Sequence, residues 1–124
     1  MMPIPHPSDR ESGLSLKVAN GFRSRLLGAH AFGGLRGDEG LLLYPCRAVH
    51  TFFLRQALDI VFLDSEGRLL RCVLAVRPRR VVFERHAAMV VELPAGYCRR
   101  HMDYLELIHR AIRKHSQRER KTLS

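Results

Sequence analysis

The run Asp59-Ile-Val-Phe-Leu-Asp64 leaves a chain of this size few ways to fold. In the two-residue period of a strand, Val61 and Leu63 share one face and Ile60 and Phe62 the other. A strand that is apolar on both faces has to be covered twice, so it belongs at the centre of a layered fold. Asp64-Ser-Glu-Gly67 has Asp first and Gly fourth, the preference of a type I turn. Arg68–Val76 then returns with Leu70, Cys72, Leu74 and Val76 in one phase. Asp59–Val76 is therefore expected to be an antiparallel hairpin. Asp59 stands in the phase of Val61 and Leu63, at the strand entrance. A carboxylate buried there needs a cation or several donors, and Arg55, Arg80 and Arg25 are the candidate cations.

The neighbouring sequence supplies partners for that hairpin. Leu14–Val18 alternates as a half-exposed strand, and Phe22–Ala31 can form a short helix that Gly28 weakens. Gly33–Gly40 is a loop with four glycines but neither a G-K-[ST] nor a GxGxxG pattern, so it is no phosphate cradle. Leu41–Tyr44, Val49–Leu54, Val81–Glu84 and Ala88–Leu93 read as further strands, with Pro45, Pro78 and Pro94 as breaks. Met102, Leu105, Ile108 and Ile112 recur at helical spacing, which predicts an amphipathic helix over Arg99–Lys114. Hydrophobic residues make up 46% of the 124, enough for one core. The expected fold is mainly β (α+β): a compact antiparallel β-sandwich or open barrel, with one short early helix and a C-terminal amphipathic helix. A flexible arm at 1–12, one domain at 13–115 and a basic, mobile tail at 116–124 complete the division.

Compartment and charge narrow the function classes. No apolar run approaches the roughly 18 residues of a membrane helix, and MMPIPHPSDRESG lacks the apolar core of a signal peptide. Cys46, Cys72 and Cys98 cannot all pair within one chain, and no CxxC occurs. A soluble cytoplasmic protein with free thiols is expected. The net charge is +9, from 18 Arg and 3 Lys against 12 acids. Such a balance favours anionic partners, although these cations are spread along the chain and can equally well serve solubility.

Several pieces in order resemble the bacterial and archaeal family called domain of unknown function 192. They are Leu26-Leu-Gly28, Glu39-Gly-Leu-Leu-Leu43 with Pro45-Cys46, and Val49-His-Thr-Phe52; then Arg55, Asp59, Phe62-Leu-Asp64 and Gly67; then Pro78, Arg80 and Glu92-Leu-Pro-Ala-Gly96. The resemblance spans about residues 14–97. It implies a compact, mostly antiparallel β-sandwich-like fold with short helices, and no assigned activity. Arg25, Ala29, Phe53, Leu54 and Ala57 depart from the family pattern, and a basic helix replaces the family's usual final turn and strand.

The best candidate site combines His50, Thr51, Arg55, Asp59 and Arg80. An imidazole, a hydroxyl, a carboxylate and guanidinium groups can together hold a small polar or anionic ligand. The same residues can instead satisfy a buried bend. Cys46, His50, Cys98 and His101 have spacings that zinc tolerates but match no known knuckle, so no metal or other cofactor is expected. Cys46 and His50, four apart on a strand, are about 13 Å apart unless the chain bends. Without a complete acid–base–nucleophile set, a binding domain is favoured over an enzyme. The alternative is an arginine-rich adaptor for nucleic acid or an acidic protein, acting through the C-terminal helix. Its binding would be weak and salt-sensitive.

Overall fold

A computed structural model describes residues 13–19, 33–52 and 54–123. The expected helix at Phe22–Ala31 lies outside these residues. Five strands form the main sheet in the order β1-β2-β7-β4-β5: β1 (Ser15–Ala19), β2 (Glu39–Leu43), β7 (Met89–Pro94), β4 (Leu58–Leu63) and β5 (Leu69–Val76). A second sheet pairs β3 (Ala48–His50) with β6 (Val81–Phe83). All pairings are antiparallel except β1 with β2, which run parallel with Leu16 opposite Gly40. Gly40 is needed there: a Cβ would lie 2.9 Å from both Leu16 Cδ2 and Leu93 Cδ2. A four-residue helix α1 (Tyr97–Arg100) and a long helix α2 (Tyr104–Leu123) follow β7. Among the described residues no helix is long and apolar enough to cross a membrane.

The alternation of the central strands builds two cores. Leu41, Leu43, Leu58, Ile60, Phe62 and Val90 point to one side and pack against Val49 and Val82 of the small sheet. Leu42, Val61, Leu63, Val91 and Leu93 point to the other and pack against Tyr97, Cys98, Leu107, Ile108 and Ala111 of the helices. The architecture is thus a small sheet, a large sheet and a helical layer, an α+β sandwich with no closed barrel among the described residues. Every residue of β4 and β7 is buried, as a doubly covered strand must be.

The β4–β5 hairpin forms as its alternation and turn residues require. Gly67 N–H donates to Asp64 O (3.0 Å), and Asp64 Oδ1 accepts from Glu66 N (2.8 Å) and Arg68 N (2.9 Å). Those backbone donors, Arg68 first, hold the Asp64 carboxyl below its usual range. The strict phase expected along β5 fails. Its register slips between the Leu58 and Ile60 pairings, and Ala75 there has φ 50°. This bulge puts Val76 in the small-sheet core, while Cys72 packs on the helix side and Leu74 stays exposed.

Two further boundaries differ from the sequence pattern. The strand expected over Val49–Leu54 stops at His50, because the Thr51 carbonyl accepts from Leu54 N (3.3 Å) and Arg79 N (3.1 Å) and closes a turn. The expected helix at Arg99–Lys114 is broken at His101, whose backbone is extended. It resumes at Tyr104 and runs to Leu123. Met102 falls in the break and is 90% exposed, so the buried stripe is Leu107, Ile108 and Ala111, flanked by Tyr104, Leu105 and Ile112.

Candidate functional site

Thr51 and Arg80 are brought together by the turn Arg77-Pro-Arg-Arg80, which joins β5 to β6. The two proline-flanking arginines lie in a chain reversal that the backbone alone would not favour: Arg79 has φ 65°, a left-handed conformation that costs a non-glycine residue on the order of 1 kcal/mol. Thr51 holds it in place. Its N–H donates to Arg80 O (2.9 Å), and its carbonyl accepts from Arg79 N (3.1 Å). Its Oγ1 donates to Arg77 O (2.6 Å) and accepts from Arg80 N (3.0 Å). Thr51 is fully buried, so its hydroxyl is a fastener for the arginine turn and cannot itself meet a ligand.

Replacing Thr51 by Val keeps the volume and removes the hydroxyl. The Arg77 carbonyl and the Arg80 N–H then lose their partner, at an expected cost of about 1–3 kcal/mol in urea denaturation. Thr51→Ser should keep most of that stability. Equal stability of the Val variant and the parent would show that the hydroxyl bonds are not holding the turn.

His50 sits one residue before this fastener, on the outer face of the small sheet. The β3–β6 register places Ala48 opposite Phe83 and His50 opposite Val81, so all four share that face, while Val49 and Val82 point inward. The His50 and Phe52 rings are 5.6 Å apart and tilted by 48°. Val81, Phe83 and Phe52 are 64%, 56% and 52% exposed. Large apolar groups gathered on one exposed face mark interaction surfaces more often than scattered ones do. Arg71 reaches the rim, its Nη1 donating to Phe83 O (3.3 Å). Beside this face runs an open groove of about 330 Å³, lined by Val73–Val76 of β5, Arg77, Arg80, Val81 and Val82. Arg80 is exposed, and its Nη1 donates to Arg79 O (3.3 Å).

Asp59 is not part of that gathering. Asp59 is fully buried, as its phase predicts, but it lies on the helix side of the sheet. Among the described residues its partners are not arginines. Oδ1 accepts from Ala75 N (2.9 Å) and Oδ2 from Cys98 N (3.0 Å). The bulge in β5 turns the Ala75 amide away from the strand ladder, and the start of α1 presents the Cys98 amide. The carboxyl group thus has two backbone donors, and neither Arg55 nor Arg80 supplies the expected guanidinium. Arg55 and Arg80 are exposed, and Arg25 lies outside the described residues. Cys46 packs on the small-sheet core and Cys98 on the helix side, so the main sheet separates the two cysteines of the metal set considered above.

Two side chains, the half-buried Gln56 and the buried Glu92, escaped sequence reasoning. Gln56 Oε1 accepts from Leu35 N (2.7 Å) and Gln56 Nε2 donates to Leu35 O (3.0 Å), pinning the glycine-rich loop. Glu92 is 1% exposed in β7, flanked across the strands by Leu41 and Ile60. A lone acid inside an otherwise apolar strand was the available signal for Glu92. For Gln56 no pattern marks the contact.

An α+β sandwich with a pinned arginine turn defines a small two-core domain, and its family can be stated. Residues 5–102 match the model of domain of unknown function 192, described as "Uncharacterized ACR", and the chain belongs to that family. A crystal structure of a protein of unknown function from Novosphingobium aromaticivorans superposes with a TM-score of 0.61 at 17% identity, covering 68% of this chain and 66% of that one. This chain therefore spans just under two thirds of that protein's length. A candidate transcription regulator from Sinorhizobium meliloti gives a TM-score of 0.62 at 22% identity, covering 68% of this chain and 71% of that one. At these identities both are similar to this chain in fold alone. No curated protein matches it.

Proposed function

We propose that this chain is a binding domain rather than an enzyme, and that its ligand has an anionic head and an apolar body. The observation that carries this proposal is the 330 Å³ groove whose walls are apolar residues of β5 and β6 and whose rim is the Thr51-pinned turn bearing Arg77 and Arg80. Its volume is at the lower end of ligand sites. Guanidinium groups on a fixed backbone suit carboxylate or phosphate, because little order is lost on binding. His50 and the exposed rings of Phe52 and Phe83 extend the apolar surface from Val81 outward. Arg55, on the neighbouring bend, is the further cation of the proposed site, while Thr51 and Asp59 act by holding backbone. Three free thiols support placing the chain in a reducing, cytoplasmic compartment.

Titration calorimetry with phenyl phosphate and with aliphatic carboxylates of increasing length tests this. Affinity should rise with apolar length and fall at least about tenfold in Arg80→Ala, the loss of one charge-assisted hydrogen bond of roughly 1.5–3 kcal/mol. The melting temperature of Arg80→Ala should be unchanged, since that side chain is exposed. Affinity that ignores both the apolar tail and Arg80 would overturn the proposal.

A second reading, an adaptor for polyanions, is favoured by the far half of α2. Beyond Ile112 its residues through Lys121 are exposed except the half-buried His115, and they include Arg113, Lys114, Arg118, Arg120 and Lys121. Arg110 nearer the body is paired with Glu106 at 2.9 Å. Charge reversal at Arg113 and Lys114 separates the two: it should abolish salt-sensitive polyanion binding and leave the groove's ligand untouched.

A further inference from the structure

Away from the groove, two thiols face each other on the helix side of the main sheet. Cys72 of β5 and Cys98 of α1 have their sulfurs 3.8 Å apart. Their backbones are fixed by one side chain, because Asp59 takes the N–H of Cys98 itself and of Ala75, three residues beyond Cys72. Both thiols are free, with Cys98 buried and Cys72 half-buried. Cys46 is on the opposite side of the sheet, its thiol against Ala48 O at 3.1 Å.

We infer that Cys72 and Cys98 are a site of reversible oxidation that closes to an intramolecular disulfide on reaction with a low-molecular-weight disulfide. An S–S bond is about 2.05 Å, so the sulfurs have to approach by roughly 1.8 Å, a shift for which rotation of the half-buried Cys72 side chain is available. Cys72, the more accessible sulfur, gives up its proton and attacks one sulfur of the reagent. The reagent's S–S bond breaks, and one small thiol leaves with a proton. Cys98 then loses its proton and attacks the Cys72 sulfur, expelling the second small thiol. Two protein thiols are oxidised and one small disulfide is reduced to two thiols. Burial, then the neighbouring Cys72 and Asp59, hold the Cys98 thiol well above its ordinary range. Tyr104 of α2 lies against the pair, and burial followed by Cys72 pushes its hydroxyl up to about 12. These surroundings keep Cys98 and Tyr104 neutral at rest and make closure slow. The bridge would join β5 to α1 across 26 residues of sequence. Such a loop constrains the unfolded chain and should raise the melting temperature by at least about 5 °C.

The full-length chain is incubated with glutathione disulfide, quenched by alkylation, and its thiols are counted after unfolding. The count should fall from three to one, with Cys46 the survivor, and dithiothreitol should restore it. Peptide mapping should find Cys72 joined to Cys98. Cys46→Ser should still lose both remaining thiols, whereas Cys98→Ser should stop at a glutathione adduct on Cys72. A wild-type count that stays at three, a bridge that includes Cys46 or a second chain, or an adduct on Cys72 that never resolves in Cys46→Ser would each overturn the assignment. The wild-type mapping decides even where a variant fails to fold.

Discussion

Removing residues 104–124 should leave a chain with no cooperative unfolding transition. The helix-side core loses Leu107, Ile108 and Ala111, which cover Leu42, Val61, Leu63, Val91 and Leu93 of the main sheet. Ile108 is fully buried. Burying such a side chain contributes about 1.5–3 kcal/mol, and a small domain has only about 5–15 kcal/mol in total. Three buried side chains and three flanking ones therefore account for most of the net stability. A thermal melt followed by circular dichroism checks this. The point variant Ile108→Ala should lower stability by about 2–5 kcal/mol while keeping the fold. A truncated chain that still melts cooperatively near the parent temperature would mean that the sheet and the small-sheet core stand alone. In that case α2 is an appendage, and the adaptor reading gains.

Asp59→Ala should cost on the order of 3–5 kcal/mol in urea denaturation. Two backbone donors, Ala75 N–H and Cys98 N–H, would be left in a fully buried site, at about 1–3 kcal/mol each, with a small cavity added. Asp59→Asn is the informative companion, since its carbonyl oxygen can still accept from one amide. It should lose less, roughly half. Loss of the β5 bulge should follow: Ala75 at φ 50° has the Asp59 bond to hold it there. An Ala variant within about 0.5 kcal/mol of the parent would show that the two bonds are replaceable, and that this carboxyl group does not link β4, β5 and α1.

Asp59 also shows how far the sequence could be read. Its burial follows from its phase beside Val61 and Leu63, because side-chain direction in a strand is a matter of counting. Its partners do not follow. A sequence displays its charged side chains, so it offers an arginine as the natural counterpart. Backbone N–H groups are present at every residue and become donors only where a bulge or a helix start frees them. Ala75 is also where the expected alternation of β5 breaks. That residue, in the left-handed region, moves Val76 to the small-sheet core while Cys72 stays on the helix side, and a second register slip opposite Phe62 and Leu63 falls at Leu70. No composition or periodicity marks that residue.

The hairpin turn at Asp64–Gly67 and the double coverage of β4 were legible because each depends on contacts within a few residues or on a strict alternation. The C-terminal helix was legible as an element and not in its boundaries. Met102 fits the apolar spacing, but the chain leaves helical geometry at His101, and the buried stripe is set by Tyr104 onward. In the candidate site, His50, Thr51 and Arg80 do come close together in the fold. Thr51 is joined to the Arg77–Arg80 turn through two bonds of its backbone and two of its hydroxyl, which no motif records. The exposed face of His50, Phe52, Val81 and Phe83 depends on the pairing of β3 with β6, two strands over thirty residues apart in the chain.

Amide chemical-shift mapping of the full chain tests the ligand site in the groove beside β6 most directly. On titration with phenyl phosphate, the perturbed amides should cluster in Val73–Val82 and at His50 and Phe52, and Arg80→Ala should suppress them. Perturbations confined to the far half of α2, or scattered over the surface and insensitive to Arg80, would contradict a ligand site in the groove.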